Sequence, residues 1–230
     1  MVDKRPRRWN LEEALALLKA HYPGLSRPAP TDLWEQILWE NVAYLADDER
    51  RRAAFKELKA KVGTAPDKIL KAPGATLVAI SRKGILAGPN VEKLRECARI
   101  MMSDFGGDPR AMASLPTDTL RAALRKFPRI GAPGADRLLL FARREPSLAL
   151  ESNGVRVLLR LGFGREDPSY AKAYASLKKA MGALPADFDY LIEAHELLRH
   201  HGKTLCKRSN PACGSCPLVE RCPTGIANVR

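Results

Sequence analysis

The sequence predicts an all-α protein, and two observations support that fold class. Leu and Ala far outnumber Val, Ile and Thr in the 230 residues, and β-branched side chains lose more rotamer freedom in helices. Helix start signals recur, such as Asn10 followed by Glu13 and Asp32 followed by Glu35. We therefore expect strand content close to nil. No internal repeat of about 20 to 50 residues is visible, so a solenoid is not expected.

Helices follow one another along the chain. The apolar run 75–80 is long enough for a short strand, but Gly84 and the turn at 88–90 favour a helix there. A proline-rich stretch breaks the chain near residue 28, and a second break lies at 144–147, where Pro146 closes the preceding helix. The predicted helices span 11–21, 32–46, 48–62, 66–71, 74–82, 90–105, 108–113, 117–126, 134–143, 151–161, 168–181 and 187–201.

The charge balance points to a polyanionic partner. Lys and Arg number 39 against 26 Asp and Glu, a formal net charge of +13, and such a field attracts nucleic acid. A basic surface that only improves solubility is the alternative. Average composition excludes disorder and fibrous classes. No long apolar run or signal-like start is visible, so neither a membrane protein nor an exported one is expected.

Four of the five cysteines form one motif, Cys206-x6-Cys213-x2-Cys216-x5-Cys222. An odd cysteine count without a secretory signal argues against disulfides and for a reducing, cytoplasmic compartment. Four thiolates in so short a segment predict a metal centre, either a [4Fe-4S] cluster or structural zinc. The uneven spacing favours the cluster. The fifth cysteine, Cys97, is expected to pack as a small buried residue.

The residues around these cysteines are strongly basic. Residues 199–230 carry a single acid, Glu220, among several Lys and Arg. Lys207, Arg208 and Arg221 could therefore face phosphates. Alternatively, the positive side chains only offset the charge of a thiolate-ligated cluster.

Residues 124–140 predict two helices joined by a tight turn with Gly131 and Gly134. Pro133 suits the first position of the second helix, where its missing N–H costs nothing. Glycines allow close approach of a ligand, and the helix N-terminus is an anion site suited to a DNA phosphate. An ordinary helical hairpin is the alternative.

Together with the run from His201 to Cys206, these two motifs resemble the endonuclease III branch of the helix-hairpin-helix DNA glycosylases. The resemblance covers most of the chain. It implies a six-helix barrel over 29–146, with the hairpin at about 117–143, and a helical iron–sulfur domain from 1–28 and 147–230. The cysteine spacing matches that of the family and implies a [4Fe-4S] cluster on Cys206, Cys213, Cys216 and Cys222.

The hairpin departs from the family pattern at its catalytic lysine. The segment Phe127 to Gly131 looks like a variant of the family's Leu-Pro-Gly-Val-Gly turn, which implies DNA contacts from Arg129, Gly131 and Gly134. The lysine that forms a Schiff base in bifunctional members aligns with Pro133, which has no amine side chain. Lys126 lies on the wrong side of the turn, so we expect no β-lyase activity.

The family's second catalytic residue, an aspartate, aligns with Glu151. A carboxylate there can stabilise positive charge on the sugar or activate water. The extra methylene matters because a misplacement of about 1 Å can lower a rate about a hundredfold. The competing interpretation is that Glu151 only caps its helix.

Several weaker candidates follow from the same resemblance. Glu40 is a second possible catalytic carboxylate, and Asn41 is a candidate wedge that fills the gap left by an extruded base, although Trp34 and Trp39 nearby could simply anchor the core. Arg156 could contact phosphate or structure the cysteine loop. Three histidines are expected to pack or face solvent rather than bind metal: His195, His200 and His201.

The leading functional hypothesis is a monofunctional, monomeric and nucleoid-associated DNA repair glycosylase. It would flip a damaged or mismatched base out of double-stranded DNA, at a cost of a few kcal/mol. The alternatives are a non-catalytic iron–sulfur protein that binds DNA structures or lesions, and a zinc-stapled helical module.

Overall fold

The computed structural model describes residues 9–25 and 30–229. Those residues form helices and connecting segments without a strand, which confirms the all-α prediction. None of the described helices is long and apolar enough to cross a bilayer. Thirteen α-helices are present: α1 (Leu11–His21), α2 (Leu33–Val42), α3 (Asp48–Lys61), α4 (Pro66–Lys71), α5 (Gly74–Ser81), α6 (Ala87–Phe105), α7 (Pro109–Ala113), α8 (Thr117–Leu124), α9 (Ala132–Phe141), α10 (Ser152–Arg160), α11 (Tyr170–Met181), α12 (Phe188–Thr204) and α13 (Pro223–Val229).

Every predicted helix is present, and the differences lie at the ends. Helix α2 stops at Val42 instead of residue 46, because Ala43 leaves the helical conformation and Leu45 is left-handed with φ of 55°. Helix α6 begins three residues earlier than predicted, at Ala87. Helix α13 and two 3-10 turns, Cys213–Ser215 and Val219–Arg221, lie in the cysteine-rich tail and were not predicted.

The chain divides into two compact units. One comprises Met1–Ser26 and Pro146–Arg230, and the other Arg27–Glu145. We call them the terminal unit and the central unit. The predicted boundary between 28 and 29 lies outside the described residues, and the second falls between Glu145 and Pro146, where a break between 146 and 147 was expected.

The central unit holds helices α2 to α9 around one apolar core. Trp34 and Trp39 lie in that core at 3% and 4% exposure, which confirms their predicted anchoring role. The Trp34 indole N–H donates to the carbonyl of Thr64 at 2.7 Å, so its polar edge is satisfied. Cys97 is fully buried in the same core, as predicted.

An ion-pair network joins the two helices of the hairpin. The Arg121 guanidinium on α8 bridges the carboxylates of Asp136 on α9 and Glu145. Phe127 and Ile130 in the connecting turn are buried in the core. The turn is therefore held from both sides, and the N-terminus of α9 has a defined position.

The terminal unit packs α10 against α12, and Gly202 permits the close contact. A Cβ atom on Gly202 would lie 2.7 Å from the Cβ and the carbonyl oxygen of Asn153. The beginning of the chain is tied to the tail through Trp9, whose indole N–H donates to the carbonyl of Leu218 at 3.3 Å. The Arg221 guanidinium lies 3.5 Å from the Trp9 ring centroid, a cation–π contact.

Candidate functional site

The four cysteines of the tail line a single cavity in the terminal unit. Cys206 follows α12 and Cys222 precedes α13, while Cys213 begins the first 3-10 turn and Cys216 follows it. The remaining wall is largely apolar, with Val157 and Leu161 from the α10 segment. The fold thus brings the four predicted ligands to one enclosed place.

Each of the four sulfurs has a nitrogen that can donate a hydrogen bond within hydrogen-bonding distance. Such N–H···S contacts stabilise thiolates and tune the metal centres that thiolates hold. The pairs are Arg160 Nη1 with Cys206 at 3.4 Å, Asn228 Nδ2 with Cys213 at 3.5 Å, His201 Nε2 with Cys216 at 3.5 Å and the Gly225 amide with Cys222 at 3.3 Å.

Burial sets the protonation of the groups around this cavity. It raises the pKa of Cys216 to about 11 and also raises the pKa of Cys222. Burial lowers the pKa of His201 to about 4, so its imidazole is neutral at pH 7. Metal binding to these thiols would release protons. Four soft sulfur donors fit iron–sulfur chemistry. Among the described side chains, no three His, Cys, Asp or Glu form a site for a single metal ion.

Two arginines of α10 hold the cysteine loop in place. Arg156 donates through Nε to the carbonyl of Cys206 at 2.9 Å and through Nη2 to that of Gly202 at 2.7 Å. Arg160 donates to the carbonyls of Lys207 and Arg208. Arg156 therefore structures the loop, the second of its two predicted roles. The side chains of Lys207 and Arg208 are exposed and open to solvent.

Glu151 caps α10, as the competing interpretation predicted. Its Oε1 accepts from the backbone amides of Asn153 at 2.8 Å and Gly154 at 3.0 Å, and its Oε2 accepts from the Asn153 side chain at 2.7 Å. A carboxylate is a favourable capping group at the positive end of the helix dipole. Glu151 remains partly exposed. A carboxylate that is fixed and accessible is suited to stabilising positive charge, and its catalytic role stays a prediction.

The hairpin places Gly131 at the N-cap of α9 and Pro133 at the second helical residue rather than the first. Nothing inside the protein requires glycine at 131 or 134, because added Cβ atoms would meet their nearest neighbours at 4.0 and 3.5 Å. Gly131 is exposed and Gly134 half-buried. Their small size therefore leaves the N-terminal amides of α9 open to a ligand from outside.

Arg129 makes hydrogen bonds and a ring contact within the protein, where a DNA contact was expected. Its backbone is left-handed with φ of 65°. The guanidinium donates to the carbonyl of Asn41 at 3.2 Å and to Asn90 Oδ1 at 2.6 Å, and it stacks 4.2 Å from the ring centroid of Tyr44. Burial lowers the pKa of Arg129. These contacts of Arg129 fix the turn of the hairpin to α2 and α6.

The predictions for Asn41 and Glu40 are not supported. Asn41 is fully buried, and its amide donates to the carbonyls of Ile37 and Pro128 at 2.9 and 3.1 Å, so the predicted wedge role is wrong. Glu40 lies between two guanidinium groups, 3.0 Å from Arg137 and 3.6 Å from Arg51. Glu40 is therefore a partly buried counter-ion. It is neither the catalytic carboxylate nor the exposed side chain that the sequence suggested.

Two adjacent loops that we call the wedge loops, 43–46 and 82–86, carry exposed apolar side chains that sequence reasoning missed. Leu45 is 63% exposed and Leu86 is 61% exposed. Both are left-handed, with φ of 55° and 58°, which is unusual for a branched residue. The Ile85 amide donates to the Tyr44 carbonyl at 3.0 Å and joins the loops.

Gly84 makes the contact between the wedge loops possible. A Cβ atom at this position would lie 2.7 Å from the backbone of Ala43. Gly84 thus braces two loops that each present an exposed leucine with a left-handed backbone. The sequence carried no clear signal for this pair, because Leu45 falls within the predicted helix 32–46 and only Leu86 lies near glycines.

Curated relatives resemble the chain over most of its length. It is 26% identical to the endonuclease III of Sulfolobus acidocaldarius over 214 residues, 93% of this chain and 90% of the relative. It is 28% identical to the endonuclease III of Rickettsia conorii over 177 residues, 77% of each chain. No protein-family model matches the chain.

Solved structures share the fold. A non-covalent endonuclease III–DNA complex superposes with a TM-score of 0.76 at 22% identity, covering 96% of this chain and 99% of that one. A thermostable thymine-DNA glycosylase gives a TM-score of 0.71 at 17% identity, covering 94% and 95%. With the hairpin and the cysteine-lined cavity, these findings show that the chain is similar in sequence to endonuclease III over most of its length and shares its fold.

Proposed function

We propose that the protein is a monofunctional DNA glycosylase that removes a damaged or mismatched base from double-stranded DNA. The observation that carries this proposal is the Glu151 carboxylate, which hydrogen bonds fix at the N-terminus of α10 while it stays partly exposed. Glu151 is one methylene longer than the family's aspartate and occupies the aligned position. The carboxylate is the group that cleavage of a glycosidic bond needs.

The proposed reaction is hydrolysis. A water oxygen bonds to the anomeric carbon of the sugar while the bond from that carbon to the base nitrogen breaks. The base leaves with the bonding electron pair and takes up a proton. Glu151 stabilises the positive charge that develops on the sugar and accepts the proton that the water loses.

The hairpin supplies no amine for a Schiff base. Aligned on Gly131, the family lysine corresponds to Pro133, the second residue of α9. Lys126 pairs with Asp104 at 2.8 Å, before the turn. We therefore infer that the abasic product leaves uncleaved.

Two surfaces would grip the DNA in this function. The open amides at the N-terminus of α9 would bind a phosphate, and Leu45 and Leu86 of the wedge loops would enter the base stack as the target base leaves it. Unstacking costs a few kcal/mol and is least for a mispaired or damaged base.

The cysteines of the tail would hold a [4Fe-4S] cluster, and the four N–H···S contacts and the apolar wall support this assignment. When bound, the cluster supplies a rigid centre that orders the loop. The loop would then present Lys207 and Arg208 to DNA. A thiolate-held cluster fits a reducing cytoplasmic compartment, where we place the protein as a monomer on nucleoid DNA.

We expect wild-type protein to release a base from at least one of a panel of duplexes with single lesions or mismatches. Strand breaks should appear only after alkali treatment, and borohydride should trap no covalent complex. Strand cleavage without alkali, or a trapped adduct, would contradict the monofunctional assignment. If no base is released from any duplex of the panel, the proposal that the protein is a glycosylase is wrong.

A second candidate function is lesion binding without catalysis. The observation that favours it is that both oxygens of Glu151 already accept hydrogen bonds within the protein. Tight binding to a lesion duplex, with no base release on prolonged incubation, would support this alternative.

Removing the charges of the cysteine loop should weaken binding to every duplex alike. We expect Lys207→Ala combined with Arg208→Ala to lower the slope of log K against log salt by about 2, because each phosphate contact adds about 1. Binding is measured by fluorescence anisotropy at several salt concentrations. Lys68→Ala with Lys71→Ala removes the same charge from exposed positions on α4 and should change neither the affinity for DNA nor the salt slope. If both pairs of substitutions weaken binding equally, the cysteine loop contributes only through the net charge of the protein and makes no specific phosphate contact.

The wedge loops should show the opposite signature. Leu45→Asn and Leu86→Asn remove the apolar side chain and introduce asparagine, a residue that tolerates the left-handed backbone. We expect the salt slope to stay unchanged and the preference for lesion duplexes over undamaged ones to fall. An unchanged preference would remove the leucines from the proposed mechanism.

A further inference from the structure

The cavity of the cysteines is connected by hydrogen bonds to the end of α1. His201 on α12 is 1% exposed and lies between Cys216 and Tyr22, the C-cap residue of α1. Its Nε2 is 3.5 Å from the Cys216 sulfur, and its Nδ1 is 2.9 Å from the Tyr22 hydroxyl oxygen. The tyrosine hydroxyl is also 3.2 Å from Thr204 Oγ1.

The chemistry of the cysteine sets the direction of this chain of hydrogen bonds. A metal-bound thiolate carries no proton, so it can only accept. His201 is 1% exposed and its Nε2 faces the sulfur at 3.5 Å, so the N–H of the ring lies on Nε2 and donates to Cys216. That leaves Nδ1 as an acceptor.

The tyrosine supplies the matching donor. Thr204 donates its hydroxyl proton to the carbonyl of His200 at 2.9 Å, so it can only accept from Tyr22. The nearer partner of the Tyr22 hydroxyl is His201 Nδ1. Donation to Nδ1 holds the tautomer that donates to the sulfur.

We propose that Tyr22 is a positioning residue for the cluster, because its hydroxyl fixes the His201 tautomer that donates to the Cys216 thiolate. An N–H···S bond withdraws negative charge from the sulfur and so favours the reduced state of an iron–sulfur centre. Tyr22 therefore raises the reduction potential of the cluster without touching it. This inference rests on the proposed cluster.

The test compares Tyr22→Phe with wild-type protein by protein-film voltammetry and by resonance Raman spectroscopy of the iron–sulfur(Cys) stretches. Phenylalanine keeps the edge contact with the ring of His200, whose centroid lies 4.6 Å from that of Tyr22, and removes only the hydroxyl. We expect full iron content, a more negative potential and shifted iron–sulfur bands. His201→Leu should shift the potential further in the same direction. Tyr190→Phe, at the other end of α12, is the matched control and should change nothing.

The outcomes separate this inference from the assignment of the cluster. Wild-type protein without iron and sulfide would overturn both. A wild-type cluster whose potential and bands are unaltered by Tyr22→Phe would overturn only the role of Tyr22. Complete loss of iron from folded Tyr22→Phe would also overturn it, because the hydroxyl would then serve retention rather than tuning. If His201→Leu does not fold, Tyr22→Phe alone decides.

Discussion

Glu151→Gln is expected to reduce base release by about 10² to 10⁴-fold, because a positioned acid or base contributes about that much to catalysis. Glutamine keeps an oxygen that can accept from the amides of Asn153 and Gly154, so α10 should still be capped. What it loses is the negative charge next to the sugar. The measurement is single-turnover release from the best duplex of the panel, followed by alkaline cleavage.

The structure supplies two controls for this variant. Glu151→Asp keeps the charge and restores the side-chain length of the family's aspartate, so base release should remain measurable. Loss of a helix cap costs about 1 kcal/mol, or about 2–4 °C in melting temperature for a chain of this size. If the melting temperature of Glu151→Gln lies within about 2–4 °C of the wild-type value, the loss of activity reflects the lost chemistry and not unfolding. Equal rates for Glu151→Gln and wild type would leave Glu151 as a cap alone.

Local signals predicted the helices well but could not assign the roles of single polar side chains. Asn10 and Asp32 cap helices as their sequence contexts predict, because capping depends on residues within one turn. Asn41 was misassigned, because its burial depends on the distant carbonyl of Pro128. Contacts between residues far apart in sequence leave no local pattern.

The same reason explains what was missed around the cysteines. Their spacing predicts a shared centre, and the fold brings them to one cavity. The N–H groups that contact the sulfurs come from α10, α12 and the tail, and the link from Tyr22 to His201 spans most of the chain. The left-handed backbone of Leu45 and Leu86 was equally hidden, because glycine or asparagine usually marks such positions.

Cys222→Ser is expected to remove most of the iron and to destabilise the terminal unit. Cys222 is 8% exposed, and its sulfur contacts the amide of Gly225 and the carbonyl of Arg160, so it joins the tail to α10. Serine offers a hard oxygen where an iron–sulfur centre needs a soft thiolate. Because binding of a structural metal centre contributes directly to folding, its loss should cost several kcal/mol.

Cys97→Ala is the matched control for this loss. Cys97 is fully buried in the core of the central unit, away from the tail cysteines in sequence, and its truncation should cost about 1 kcal/mol through a small cavity. Iron, acid-labile sulfide, visible absorbance and anaerobic thermal unfolding are measured for all three proteins. Zinc without sulfide in wild type would assign the cysteines to a zinc centre. Full iron content and a Cys97→Ala-like melting temperature in Cys222→Ser would exclude Cys222 as a ligand. The two variants thus separate a cysteine that holds the tail together from one that only fills space.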